Sequence, residues 1–124
     1  MKAILTLLCS LFISGMVTNA KAADKLQHVV CFKFKSTATP EDIRKVEQAF
    51  HALQQKIPQI MALEWSTNVS KEHRDKGFTH CFIVTFKSEL DRDIYLEHPD
   101  HKAFGKIAGP VLDDVFVIDF WPRE

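Results

Sequence analysis

The chain has 124 residues, with 16 basic and 16 acidic side chains and a formal net charge of zero. This length allows one small domain, and the lack of a basic surplus argues against a partner with a phosphate backbone, such as nucleic acid. Hydrophobic residues make up 46% of the chain, which is enough for a folded core, although so small a domain gains from burying further surface in a dimer.

The first 22 residues have the pattern of an export signal. Lys2 precedes a nearly unbroken apolar run, residues 3–17, which is short for a membrane span, and a small-residue pattern ends at Ala22. We therefore predict a signal peptide at 1–22 and a mature domain at 23–124, with no membrane association after cleavage. Loss of two lysines would leave 14 basic against 16 acidic side chains. We expect a secreted protein, periplasmic rather than extracellular.

Seven elements follow in the mature chain. Alternating apolar residues predict strands, a period near 3.6 predicts helices, and Thr39 and Ser88 are suitable N-caps. Ser70–Gly77 is a charged loop, and Pro58 and Pro110 follow helical patterns. The predicted elements are strand Leu26–Lys35, helix Pro40–Lys56, strand Ile60–Val69, strand Phe78–Lys87, helix Glu89–Glu97, helix Asp100–Ala108 and strand Asp114–Trp121.

The order β-α-β-β-α-α-β predicts an α+β fold, a ferredoxin-like split βαβ sheet with its helices on one face. His28, Val30 and Phe32 share the face that the helices would cover. The opposite face includes Val29 and Ile83 and would be bare in a single chain. We expect this apolar face to pack against a second copy, giving a homodimer with the form of a dimeric α/β barrel.

Cys31 and Cys81 are the two cysteines of the predicted mature chain. Export would permit a disulfide between them, but two cysteines do not make a disulfide framework. The pattern favours two small buried apolar residues over a bridge.

The segment from Tyr95 to Phe104 contains the densest group of side chains that could take part in catalysis. Pro99 disfavours helical geometry at His98 and suits the first turn of a new helix, so His98 is predicted to be a hinge or cap. His101 then lies near the positive end of that helix, which opposes protonation of its ring. One interpretation makes His101 a neutral base and Tyr95 a hydrogen-bond donor. The other, which we favour, is a structural corner whose imidazoles cap backbone groups.

These motifs resemble the Dabb family, the stress-responsive dimeric α/β-barrel domain, over residues 26–122. The matching blocks, in order, are His28–Lys35, Gly77–His80 with Val84–Phe86, Tyr95-x-x-His98-Pro99-x-His101-x-x-Phe104 and Asp119-Phe120.

The resemblance implies a ferredoxin-like monomer that dimerises through its sheet. Family members include plant stress-induced proteins and a cyclase that closes a polyketide by aldol condensation without metal or cofactor. In that cyclase a histidine is the base and a tyrosine positions the substrate, and these match His101 and Tyr95. A pocket histidine matches His28, while Phe50 stands where the cyclase has a second tyrosine.

We therefore predict an enclosed, largely apolar pocket between helices and sheet, with His101 and Tyr95 as candidate catalytic residues. His80 either lines this pocket or bonds the neighbouring backbone, and we favour the structural role. No closely spaced pair of histidines or cysteines marks a metal site, so we expect neither metal nor cofactor. The candidate substrate-binding residues are His28, Val30, Phe32, Phe50, Phe82, Val84 and Phe104.

Three functions fit this reading. The leading hypothesis is binding of a small, partly apolar organic molecule, in the context of stress response. The second is a cofactor-independent lyase or cyclase acting on a carbonyl compound with His101 as base. The third is a structural oligomer that confers stability, which a pocket filled by Phe50, Phe82 and Phe104 would favour.

Overall fold

The computed structural model describes residues 24–124, and the predicted signal peptide lies outside the described residues. These residues form four strands and three α-helices, and a short 3-10 turn follows the third helix. The elements are β1 (Leu26–Phe34), α1 (Pro40–Lys56), β2 (Ala62–Thr67), β3 (His80–Phe86), α2 (Glu89–Glu97), α3 (Pro99–Ala108), the 3-10 turn (Gly109–Val111) and β4 (Leu112–Phe120).

The four strands form one sheet in the order β2-β3-β1-β4, and every neighbouring pair is antiparallel. This is the predicted ferredoxin-like α+β fold, and the predicted order of elements is confirmed. The predicted ends agree with the observed ones to within two residues.

Side-chain caps explain why the helices begin where they do. Thr39 accepts a hydrogen bond from the backbone N–H of Asp42, and the Asp42 carboxylate accepts one from the backbone of Thr39. Ser88 accepts from the backbone N–H of Asp91 in the same way. His98 caps α3, because its Nδ1 accepts from the N–H of Asp100 at 3.1 Å. The predicted capping roles of all three residues are confirmed.

The core lies between the helices and one face of the sheet. Val46, Phe50 and Leu53 of α1 pack onto alternate residues of β1 and β3, all buried. Phe50 and Phe82 stack with ring centroids 4.0 Å apart. The two edge strands are less covered than the central ones, since neither β2 nor β4 contains a fully buried residue.

The opposite sheet face carries no helix. Val29 and Ile83 are half-buried there, and Phe116 and Ile118 of β4 are about half exposed. Cys31 and Cys81 are also half-buried on this face, which corrects the expectation of two buried cysteines. Within residues 24–124, no helix is long and apolar enough to cross a membrane.

Candidate functional site

A cavity of about 620 Å³ lies between the α2–α3 corner and the helix-facing side of β1 and β4. Val30, Phe32, Phe50 and Phe104 form much of its wall. On the β4 side the wall consists of residues such as Val117, which is half exposed. The pocket is therefore open along β4 in the single chain, rather than enclosed as predicted.

Tyr95 and His101 meet at the break between the two helices. Tyr95 lies in the last turn of α2 and His101 in the first turn of α3, with His98 and Pro99 forming the corner between them. Their ring centroids are 4.4 Å apart, and both side chains line the cavity. The proline break thus brings together two residues that are six positions apart in the chain.

The hydrogen bonding of His101 fixes its tautomer. Its Nδ1 lies 3.1 Å from the backbone carbonyl oxygen of Leu96. A carbonyl oxygen only accepts, so Nδ1 carries the proton and the neutral ring keeps its lone pair on Nε2. Burial lowers the pKa of His101 by more than the hydrogen bond to Leu96 raises it. The direction is the predicted one, although the main cause is desolvation rather than the helix dipole.

Tyr95 is the buried partner in this pair. Its side chain is 1% exposed, and burial raises the pKa of its phenol far above the ordinary value. The phenol therefore stays protonated across the physiological range and is available as a donor. An acid with a free O–H beside a base with a free lone pair is the arrangement that proton transfer at a carbonyl compound needs.

His28 brings a second imidazole to the same cavity. Its Nδ1 donates to Oδ1 of Asp119 at 2.6 Å, and Nη1 of Arg92 donates to Oδ2 of Asp119 at 2.9 Å. The carboxylate thus orients the ring and leaves Nε2 of neutral His28 without its proton. The edge of the His28 ring faces Tyr95, with centroids 5.7 Å apart.

Asp119 and Arg92 both line the cavity, and the sequence analysis did not predict them as site residues. The sequence does contain a pattern that could have indicated each of these two residues. Asp119 shares its strand face with Val115 and Val117, so it is an acid on the side that faces the helices. Arg92 precedes Tyr95 by three residues and lies on the same face of α2.

Most of the predicted wall residues lie where they were expected, but two do not. His28, Val30, Phe32, Phe50 and Phe104 line the cavity. Phe82 and Val84 are fully buried in the core and do not line it, which corrects the predicted placement. The aromatic rings of Phe50 and Phe104 form the floor of the hollow and do not fill it.

His80 lies on the helix-covered face but away from this cavity. Its Nε2 is 2.9 Å from Oε1 of Glu47, and its Nδ1 is 2.8 Å from Oγ1 of Thr79. The ring stacks on Trp65. Both nitrogens of His80 are thus bonded to side chains, which fits a structural role. Its partners are side chains rather than the backbone groups expected from the sequence.

The described part of the chain groups no three His, Cys, Asp or Glu side chains that could hold a metal ion. His28, Asp119 and Arg92 are instead paired with each other and His101 with the backbone, while the Tyr95 hydroxyl keeps its proton free. What this geometry offers is acid–base chemistry and hydrogen bonding in an apolar hollow.

The four-stranded antiparallel sheet with its helices on one face defines the class as a ferredoxin-like α+β domain. The family model described as "Stress responsive A/B Barrel Domain" matches residues 26–122. The chain therefore belongs to this family, Dabb.

The chain is similar in sequence to two named plant proteins and in structure to two solved proteins. The stress-response A/B barrel protein HS1 of Arabidopsis thaliana is 34% identical, over 84% of this chain and 95% of its own. Olivetolic acid cyclase of Cannabis sativa is 26% identical, over 80% and 98%. Hydroxynitrile lyase from Passiflora edulis has a TM-score of 0.76 at 25% identity, over 82% and 96%. A dimeric ferredoxin-like protein from Thermobifida fusca has a TM-score of 0.69 at 22% identity, over 79% and 91%, and shares the fold.

Proposed function

We propose that this Dabb domain binds a small, partly apolar organic molecule that carries a carbonyl or hydroxyl group. The observation that carries the proposal is the pairing of Tyr95 with His101, 4.4 Å apart, in an apolar cavity of about 620 Å³. A cavity of this size suits a ligand with one ring or a short chain. The phenol and the two imidazoles would bind its oxygen, and the phenylalanines its apolar part.

A second candidate is a cofactor-independent lyase or cyclase, and the tautomer of His101 favours it. Nε2 of His101 would take a proton from the C–H next to a carbonyl, or from a hydroxyl, while the Tyr95 hydroxyl donates to the oxygen on which charge develops. Two similar proteins are by name a cyclase and a lyase, and a base of this kind could serve either class of reaction. Loss of a tyrosine hydroxyl at Phe50 argues against a polyketide of the cyclase type as substrate.

Native mass spectrometry of the purified protein tests ligand binding directly, because a co-purifying molecule adds its mass to the chain. We expect an adduct in the wild type that is weakened in Tyr95→Phe and His101→Gln. His51→Gln is the matched control, since His51 is an exposed histidine of α1. A wild-type protein that stays free of adducts, and that binds nothing from a library of aromatic aldehydes and ketones, would leave only the structural oligomer.

Turnover is tested with an aromatic hydroxynitrile such as mandelonitrile, following release of the aldehyde by absorbance. If His101 is the base, His101→Gln abolishes turnover while His51→Gln leaves it unchanged. Thermal unfolding of both variants reports whether the fold is intact. Equal turnover in His101→Gln and the wild type would remove His101 as the base without affecting the binding proposal.

A homodimer formed through the open sheet face is also proposed. Phe116, Ile118 and Phe120 are each about half exposed on that face, beside the half-buried Val29 and Ile83. Contiguous apolar surface of this kind marks an interface. Ile118→Glu should shift the mass measured by light scattering from dimer to monomer. Val69→Glu, on an exposed loop, is the control and should leave the dimer intact.

Export to the periplasm rests on residues 1–22 alone. The expected result is a mature N-terminus at Ala23, read by sequencing the protein recovered from the producing cell. A protein that retains Met1 or begins elsewhere would contradict this proposal and leave the cavity untouched.

A further inference from the structure

Two cysteines face each other across the central strands of the sheet. Cys31 of β1 and Cys81 of β3 are direct partners in the antiparallel register. Both are free thiols, and both are half-buried on the sheet face that carries no helix. They lie on the side of the sheet opposite to the cavity, so the proposed ligand site does not use them.

The hydrogen-bond ladder shows which kind of pair they form. The N–H of Asn68 donates to the carbonyl of Thr79 at 2.8 Å, so these opposed residues of β2 and β3 are a hydrogen-bonded pair. Such pairs recur at every second residue, which makes Ser66 and Cys81 the next one along the register. The backbone N–H and C=O of Cys81 therefore point toward β2 and away from Cys31.

It follows that Cys31 and Cys81 form a non-hydrogen-bonded pair, the closer of the two kinds. In such pairs the Cα atoms lie about 4.5 Å apart, and disulfides need about 4.4 to 6.8 Å. The two β-carbons also project from the same face. The backbone is thus already placed for a bridge between these two residues.

The two thiols are near enough to affect each other's chemistry. Burial raises the pKa of Cys31 to about 11, and the adjacent Cys81 thiol is the second cause, through charge and a hydrogen bond. Cys31 is therefore a protonated thiol at neutral pH and a slow nucleophile. This explains how the pair would persist in reduced form unless an efficient oxidant reaches it.

We propose that Cys31 and Cys81 are a thiol-oxidation site that closes an intrachain disulfide between β1 and β3. The oxidant is an external disulfide, either a small molecule or a protein, and it acts on the single chain before a second copy covers this face. One cysteine thiolate attacks it, forming a mixed disulfide and releasing one external thiol. The second cysteine then attacks the mixed disulfide, releasing the second external thiol. Two electrons and two protons pass from the cysteines to the external disulfide, and one S–S bond replaces the other.

Peptide mapping of the full-length protein, unfolded in urea and refolded in the presence of oxidised glutathione, tests the bridge. Trypsin would release Cys31 within residues 26–33 and Cys81 within 77–87, while Cys9 belongs to a separate peptide. We expect these two peptides to be joined under non-reducing conditions and separated by dithiothreitol. Their absence as a joined species after refolding in oxidised glutathione overturns the proposal.

Unfolding unlabelled and ¹⁵N-labelled protein together in urea and refolding the mixture before oxidation separates a bridge within one chain from a bridge between two copies. Chains that dimerise through this face would bring cysteines of two copies close together. An intrachain bridge joins only peptides with the same label, which is the expected result. Joined peptides with mixed labels would show an interchain bridge and overturn the assignment.

Thermal unfolding gives the second readout. The oxidised wild type should melt at least about 5 °C above the reduced wild type, because the bridge restricts the unfolded chain. Cys31→Ser and Cys81→Ser should each lose this difference. Equal melting temperatures for oxidised and reduced wild type, with the bridge shown to be present, would mean that it adds no constraint and would overturn its stabilising role.

Discussion

The Nδ1 atom of His28 lies 2.6 Å from Oδ1 of Asp119, across the antiparallel pair of β1 and β4. The other carboxylate oxygen accepts from Arg92. Asp119 is therefore a charged link between an edge strand, a central strand and α2, at the mouth of the cavity. Each of its two oxygens has a donor, which is how a partly buried carboxylate is satisfied.

Asp119→Asn tests this link. The amide has one oxygen and one NH2 group, so it accepts from either His28 or Arg92 and turns a donor toward the other. We expect a loss of about 1 to 3 kcal/mol in the free energy of unfolding, measured by urea denaturation.

Asp113→Asn is the control for that measurement, because Asp113 forms an exposed pair with Lys33 at 3.5 Å. Its effect should be no more than about 1 kcal/mol. Similar losses in the two variants would show that the contact between His28 and Asp119 adds little beyond a surface ion pair.

The local features of the fold were predictable because their signals lie within a few residues. The cap at Thr39, the proline corner at His98 and the alternation of β1 each depend on short spacings, and the structure has all three. The meeting of Tyr95 and His101 follows from the same corner. These contacts span no more than six residues of chain.

Contacts that depend on long-range register were not predictable in this way. The pair of His28 and Asp119 joins positions 91 residues apart and needs the alignment of β1 with β4. Alternation placed Phe82 and Val84 on the correct face, but only the packing of the helices on that face decides which of its residues line the cavity. The open side of the pocket was not predictable either, because it depends on β4 being an edge strand.

The protonation of His101 should be visible in its pH dependence. Burial lowers its pKa in the folded state below the ordinary value of 6.5. The ring signals of His101 in an NMR titration should therefore have their midpoint below pH 6.5, and any activity that needs the neutral ring should fall only below that pH. A midpoint at or above 6.5 would contradict the buried, neutral assignment.

The same shift has a consequence for stability, and its sign follows from proton binding. As pH falls below 6.5, the unfolded chain binds a proton at His101 before the folded protein does, so the free energy of unfolding decreases. The loss stops once pH is below the folded pKa. His101→Gln removes this contribution. The free energy of unfolding of the variant should therefore depend less on pH than that of the wild type, between pH 7.5 and the folded pKa of His101. Identical slopes in urea denaturation would mean that the folded and unfolded pKa values are the same.

Phe82 is predicted to matter for stability alone. Its side chain is fully buried and stacks on Phe50 at 4.0 Å, so Phe82→Ala should cost about 3 to 5 kcal/mol in the free energy of unfolding. Leu90→Ala, at an exposed position of α2, should change it by no more than about 0.5 kcal/mol. Phe82→Leu keeps most of the volume and should leave the NMR midpoint of His101 unchanged. A shifted midpoint in Phe82→Leu would show that Phe82 does influence the cavity.

Gly105 offers a way to fill the cavity without touching its polar groups. It lies in α3 on the cavity wall, and a β-carbon built there meets no other atom within 4 Å. Gly105→Ala should therefore stabilise the fold by about 0.5 to 1 kcal/mol, since alanine favours the helix and no clash opposes it.

Gly105→Phe places a ring in the hollow and should remove most of the ligand adduct from native mass spectra. Ala103→Phe adds the same ring at an exposed position of α3 and should leave the adduct intact. If both phenylalanine variants retain the adduct equally, the bound molecule lies elsewhere, because a ligand in this cavity cannot share its volume with a new aromatic side chain.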